Sequence, residues 1–208
     1  MPPNRTQPQA AGLTAKGRAT RLRLLEAAQE QLRVRGSVEI ADVAAAADVS
    51  PSVIYRYFGN KFELIHAVVT DFYDEYDRSV FLAELQPDSP WLERETLRIE
   101  REIDFLYHHP LGPRVAAGLL HEPAATHVDA ERQRKHAEMA ARNIRRGQKS
   151  GELAATIDAE LVGASIIGAL RAVLAAALSH EKPPPPAKVL APIAQLSKAL
   201  LPPASDGK

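Results

Sequence analysis

Between Asp48 and Lys61 the chain reads DVSPSVIYRYFGNK, a run in which hydroxyl, phenol, guanidinium and ammonium groups follow one another closely. Ser50-Pro51 is a helix start: a hydroxyl at the N-cap, then proline at the first helical position, where its missing N–H costs nothing. Phe58-Gly59 ends that helix. Val53 or Ile54, with Phe58, provides its apolar anchor, which leaves Ser52, Tyr55, Arg56 and Tyr57 facing outward. Donors of these types reach base edges and phosphate oxygens in a DNA major groove. Lys61 opens the next helix at a terminus whose free backbone N–H groups also favour phosphate. Ser50, Val53 and Arg21 complete the candidate DNA contacts. The competing reading is a small helical subdomain whose surface happens to be amphipathic.

The elements that must position this helix are also readable. Thr14 caps a first helix with apolar positions Leu22, Leu25, Ala28 and Leu32, closed by Gly36. A short second helix follows, with Val38, Ile40, Val43, Ala44 and Ala47 on its apolar face. Asp48-Val49 then makes a tight connection to Ser50. Two short helices joined by a turn and packed on a longer one describe a helix-turn-helix. Asn60 caps a fourth helix with Glu63 three residues on, and its apolar face runs from Phe62 to about Leu82.

The segment from Thr20 to Asp71, TRLRLLEAAQEQLRVRGSVEIADVAAAADVSPSVIYRYFGNKFELIHAVVTD, resembles the N-terminal domain of the TetR (tetracycline-repressor-like) family of transcriptional regulators. The LLEAA…L…RG helix, the VA…A.VS turn and the VIYRYFGNKFEL run carry the resemblance, over about a quarter of the chain. It implies an all-α fold: an N-terminal three-helix helix-turn-helix domain and a C-terminal helical ligand-binding and dimerisation domain, about nine helices in all. It also implies a ligand-responsive regulator, expected to be a repressor, that binds a pseudo-palindromic operator as a homodimer and is released by a small molecule. Three positions depart from the family pattern. The loop after Gly36 is about two residues short, Val38 or Glu39 replaces a phosphate-touching threonine, and Asp48 stands where glycine is common. The last departure is mild, because aspartate tolerates positive φ better than most residues.

Composition agrees with such a domain plan. The chain has 208 residues, 45% of them hydrophobic, and only 5% are aromatic, which favours helices over sheets. It contains no cysteine, which excludes disulfides, thiolate metal sites and thiol nucleophiles. The formal charge is zero overall, yet residues 1–35 carry a net +5 and residues 67–208 a net −3. A basic head on an acidic body directs the head toward a polyanion. The sequence predicts a tail over 1–13, a DNA-binding domain over 14–60, a second domain over 61–201 with its first helix as connector, and a tail over 202–208.

Further helices are expected from Trp91 to His108, after a break at Gln86-Pro87-Asp88 and a Ser89-Pro90 start, and from Val128 to about Lys149, capped by Thr126. GQKSGEL is a glycine-rich stop. Asp158 caps an apolar helix running to Leu178, Pro183–Pro186 forms a stiff linker, and a last helix spans Val189 to Leu201 with a kink at Pro192. The apolar helix approaches bilayer length, but Arg171 at its middle would cost roughly 2.5–3.5 kcal/mol there. Burial in a dimeric protein explains it better, and residence in the cytoplasm is expected.

Trp91, Phe105, Leu120 and Met139, with Tyr107 and Leu119, are candidates to line an apolar effector cavity, with His109, Arg114 and Asn143 as polar handles. The expected effector is apolar or amphipathic. On the last two helices Leu161, Ala164, Ile167, Gly168, Arg171, Leu174, Leu178, Val189, Ile193 and Leu196 are the expected dimer contacts. Glu63 and His66 have the spacing of a di-iron motif, but no second copy accompanies them. The remaining histidines show no ligand spacing, so no metal or cofactor is expected. No nucleophile elbow, P-loop or dinucleotide fingerprint is present, which argues against an enzyme. The remaining alternative is a helical small-molecule-binding or structural protein without DNA-binding activity.

Overall fold

The computed structural model describes residues 12–83, 85 and 89–204. The expected break at Gln86-Pro87-Asp88 and most of both tails lie outside these residues. Nine α-helices are seen among the described residues: α1 (Ala15–Arg35), α2 (Ile40–Ala46), α3 (Pro51–Phe58), α4 (Lys61–Tyr76), α5 (Trp91–His108), α6 (Gly112–Ala116), α7 (Pro123–Lys149), α8 (Ala159–Leu178) and α9 (Pro186–Leu200). A π-helical turn, Asp77–Phe81, continues α4. The helices form two compact units. One holds the residues up to Thr70 together with Leu120–Thr126, the other Asp71–Leu119 with the residues from His127 onward. The division falls within α4, ten residues beyond the boundary the sequence suggests, and a short distant segment joins the first unit.

In the first unit the local signals act as their chemistry dictates. The Thr14 hydroxyl accepts the Gly17 N–H at 3.1 Å, and Gly36 ends α1 in the left-handed region at φ 74°. The buried face of α1 is Leu24, Leu25, Ala28 and Leu32. Leu22, expected on that face, is 56% exposed, because it falls on the side of the helix opposite Leu24. The core is completed by Val38, Val43, Ala44, Ala47, Ile54, Leu64 and Ile65. Leu120–Thr126 belongs here through two long-range bonds: His121 N–H donates to the Gly36 carbonyl, and Glu122 accepts the Val38 N–H, both at 2.8 Å.

The second unit is built on α5, α7, α8 and α9. Pro90 rather than Ser89 caps α5, and the Glu152 carboxylate accepts the first helical N–H, from Trp91, at 2.6 Å. α7 starts at Pro123, earlier than the expected Thr126 cap, because proline at the first turn is already set for the helix. Thr126 instead returns its N–H to the Glu122 carbonyl at 3.1 Å. Pro186 likewise begins α9 three residues ahead of the expected start, and Pro192 lies inside it. Pro202–Ala204, expected to open a tail, are paired to Glu152–Ala154 by a short antiparallel bridge.

α8 is long and apolar enough to cross a membrane by length and composition alone. Here it buries Gly163, Leu170, Leu174, Ala177 and Leu178, and Arg171 makes a bidentate pair with Asp129 of α7 at 2.9–3.0 Å. The absence of a side chain at Gly163 sets how closely α7 and α8 approach, since a Cβ there would lie 2.9 Å from the Ala141 backbone nitrogen. At Gly168, one face away, a Cβ would meet nothing within 4 Å. Gly163→Val is therefore expected to lower unfolding stability by about 1–3 kcal/mol in denaturant titration.

Candidate nucleic-acid interface and ligand cavity

α3 is fixed by a single fully buried side chain, Ile54; Val53, Tyr57 and Phe58 are half-buried. Asp48 adopts φ 52°, the left-handed turn that sends the chain into α3, and Gly59 closes the helix at φ 80°. Pro51, Ser52, Tyr55 and Arg56 are exposed, Tyr55 to 50%. The Arg56 guanidinium lies 5.3 Å from the Tyr57 ring centroid, and that of Arg21 lies 5.3 Å from the Phe58 ring. Both are cation–π distances. The sequence-predicted set Ser52, Tyr55, Arg56, Tyr57 and Arg21 is thus gathered on and beside one short helix.

One expected role changes, and another residue is already engaged. The Ser50 hydroxyl does not cap α3 but shares a hydrogen bond with the Ser52 hydroxyl at 2.8 Å. Lys61, expected to meet phosphate, is engaged within the protein: its Nζ lies 3.1 Å from Glu122, whose side chain is only 8% exposed. A buried carboxylate demands a cation, and Lys61 supplies it. Besides Arg56, the exposed basic groups of this unit are Lys16, Arg18, Arg23, Arg33 and Arg35 of α1, the last two paired with Glu30 and Asp42.

The second unit encloses a cavity of about 620 Å³, within the range of small-molecule sites. Its walls include Trp91, Ile99, Met139, Ile144, Leu170 and Leu201. Of the residues expected there, Trp91, Met139 and Asn143 line it. Phe105 and His109 do not; they stack on each other at 5.1 Å and pack with Phe72 in an aromatic cluster. Arg114, on α6, is also outside this cavity, and Leu120 belongs to the other unit.

The charged lining escaped the sequence reading. Glu95, Arg98 and Glu102 occupy the Trp91–Ile99 face of α5, at a spacing that could have revealed them as one stripe. Glu95 pairs with Arg98 at 3.1 Å. Burial pushes Glu95 above the ordinary carboxylate value despite the guanidinium beside it. Glu102 is raised to about 7 by burial, against the hydrogen bond it receives from Tyr76. The Ser197 hydroxyl, buried on the same cavity wall, meets no protein partner among the described residues.

In the same unit another polar group is fully paired. Asp77, in the π-helical turn, accepts from Arg132, Lys135 and His136 at 2.6–2.8 Å. Burial alone would raise its carboxyl, but the bonds from His136 and Lys135 hold it at about 2. No three side chains that could together hold a metal converge among the described residues.

Of the expected dimer contacts, Leu174, Leu178, Val189 and Ile193 are buried in this chain's own core, and Arg171 is committed to Asp129. Leu161, 68% exposed, together with Ala164 and Gly168, forms a free stripe along α8; Ile167 and Leu196 are half-buried.

Because folding raises the Glu102 carboxyl from 4.5 to about 7, its contribution to stability is complete below the lower value and is lost as pH rises through the upper one. His109, which burial holds below its ordinary value, works in the opposite direction. The difference between wild type and Glu102→Gln therefore isolates the carboxyl. The variant is expected to gain on the order of 1–2 kcal/mol relative to wild type between about pH 5 and pH 8, read from denaturant unfolding at the two pH values.

Residues 24–68 match the family model for bacterial regulatory proteins of the tetR family. No curated protein matches the chain. Among solved structures it is similar to a TetR-family transcriptional regulator from Rhodococcus sp., at 19% identity and TM-score 0.68, covering 88% of this chain and 99% of that one. It is also similar to a TetR-family regulator from Pectobacterium atrosepticum, at 22% identity and TM-score 0.66, covering 91% and 98%. A third is AibR, solved in complex with isovaleryl coenzyme A and operator DNA, at 17% identity and TM-score 0.63, covering 88% and 99%. The chain carries a TetR-family helix-turn-helix domain and has, over most of its length, the fold of the TetR-family regulators.

Proposed function

We propose that the protein is a ligand-responsive transcriptional regulator, a repressor rather than an enzyme, that acts in the cytoplasm as a homodimer. The observation that carries this reading is α3, where one apolar anchor, Ile54, leaves Ser52, Tyr55 and Arg56 presented to solvent. Exposed Lys16, Arg18 and Arg23 supply sequence-independent attraction to phosphate. One such helix binds weakly, and a two-fold dimer presents two of them to successive major grooves of a pseudo-palindrome. The free α8 stripe of Leu161, Ala164 and Gly168 supports a helix-against-helix dimer face, because small side chains let two helices approach closely.

The 620 Å³ cavity is the candidate effector site. An effector that binds better when the two DNA-binding heads are mis-spaced must weaken DNA binding by the same factor, since linkage is reciprocal. α4, which runs from one unit into the other, is the candidate lever. The complex of AibR with both an acyl-coenzyme A and operator DNA supports a fold that serves both partners.

Duplexes selected from a random pool on the full-length protein provide the test, scored by mobility shift. Tyr55→Ala and Arg56→Ala are each expected to weaken the selected duplex by about 5- to 150-fold, as loss of 1–3 kcal/mol of base readout requires, without changing the oligomeric state. Gly168→Glu is expected to give a monomer in sedimentation velocity that retains its helical circular dichroism. A wild-type protein that selects no duplex at low ionic strength would favour a helical small-molecule-binding protein instead.

A further inference from the structure

The cavity wall is polar in an uneven way. Its deeper lining is made of buried residues: Trp91, Ile144, Leu170, Leu201 and Ser197. The lining residues that are also exposed, and so mark the opening, are Leu82, Arg142, Arg145 and Arg146. The three arginines lie on one turn of α7, at spacings of three and four. Two have carboxylate partners outside the cavity. Arg145 is bound to Glu160, and Arg142 approaches Glu138 only at 3.8 Å. Arg146 makes no close ion pair among the described residues; its guanidinium reaches the Asn143 side-chain oxygen at 3.4 Å and lies near enough to Glu95 to attract that carboxylate. Within the cavity the carboxylates are already assigned, Glu95 to Arg98 with Arg94 and Arg146 nearby, and Glu102 to the Tyr76 hydroxyl.

We propose that the cavity takes an amphipathic anion, with its apolar chain between Trp91, Ile144 and Leu170 and its anionic head held at the mouth by Arg146 and the neighbouring guanidiniums. This deepens the effector reading above and rests on it. A cationic ligand would have to pass three guanidiniums and then find no unassigned carboxylate. A purely apolar ligand would leave the guanidiniums at the mouth unused. An anionic head can be a carboxylate or a phosphate, both of which a guanidinium binds with two parallel hydrogen bonds.

Trp91 is the only tryptophan in the chain and lines the cavity, so its fluorescence reports occupancy directly. Full-length protein is titrated with decanoate, decyl phosphate, decanol and decyltrimethylammonium, which share a chain and differ in head. Saturable quenching or shift is expected for at least one anion, at least tenfold tighter than for decanol or the ammonium, and weaker at high salt. The tighter of decanoate and decyl phosphate identifies the head. Arg146→Ala, an exposed substitution, is expected to lose at least tenfold for that anion and to leave decanol binding unchanged. Tighter binding of the ammonium, equal binding of all four heads, an Arg146→Ala variant that holds the anion as well as wild type, or binding of no probe overturns the proposal. Anion binding that obeys these rules but leaves DNA affinity unaltered would uphold the ligand class and reject the effector role.

Discussion

One small contact governs the arrangement on which the account turns. α3 is short, and a single side chain, Ile54, is wholly withdrawn from water. A helix so lightly anchored would drift if its ends were free, but both are fixed by backbone geometry. Asp48 turns the chain at positive φ before it, and Gly59 does so after it. Pro51 presets the first helical turn. Four local features thus hold a helix that has almost no core of its own, and its polar residues are left outward as a consequence. Val53, Tyr57 and Phe58 are half-buried beside Ile54, while Ser52, Tyr55 and Arg56 stay exposed.

The second unit shows the opposite economy. A cavity of 620 Å³ forfeits contacts that a close-packed interior would make. Elsewhere in the unit polar groups are tied in clusters of four and three: Asp77 with Arg132, Lys135 and His136, and Asp129 with Tyr73 and Arg171. A buried charge broken from its partner costs several kcal/mol, so these clusters resist rearrangement one group at a time. Asp77 lies in the π-helical turn after α4, whose Phe81 reaches the cavity wall. An element that departs from α-helical geometry beside a ligand-sized void is where a bound molecule has most leverage on helix packing.

The first three helices were legible because their signals are local. Thr14, Gly36, Asp48, Pro51 and Gly59 each act within four residues of themselves, and each does in the structure what its chemistry dictates. The tie between Lys61 and Glu122 was not legible for the opposite reason: the two are 61 positions apart, and no local pattern connects them. The start of α7 went astray because a threonine cap and an N-terminal proline offered competing beginnings three residues apart. Glu95, Arg98 and Glu102 were passed over because an amphipathic pattern assigns charge to solvent, whereas here it faces an internal void. On α8 almost every side is apolar, so no periodicity could separate Leu161, which is exposed, from Leu174, which is in the core.

The account's central claim is that two copies of α3 enter successive major grooves of one duplex. Methylation-protection footprinting of the full-length protein on a duplex selected for binding tests it most directly. Two protected major-groove patches related by a two-fold axis, separated by roughly 34–36 Å or a multiple of it, are the predicted result. A single patch, protection confined to the minor groove, or no protection at low ionic strength would contradict it.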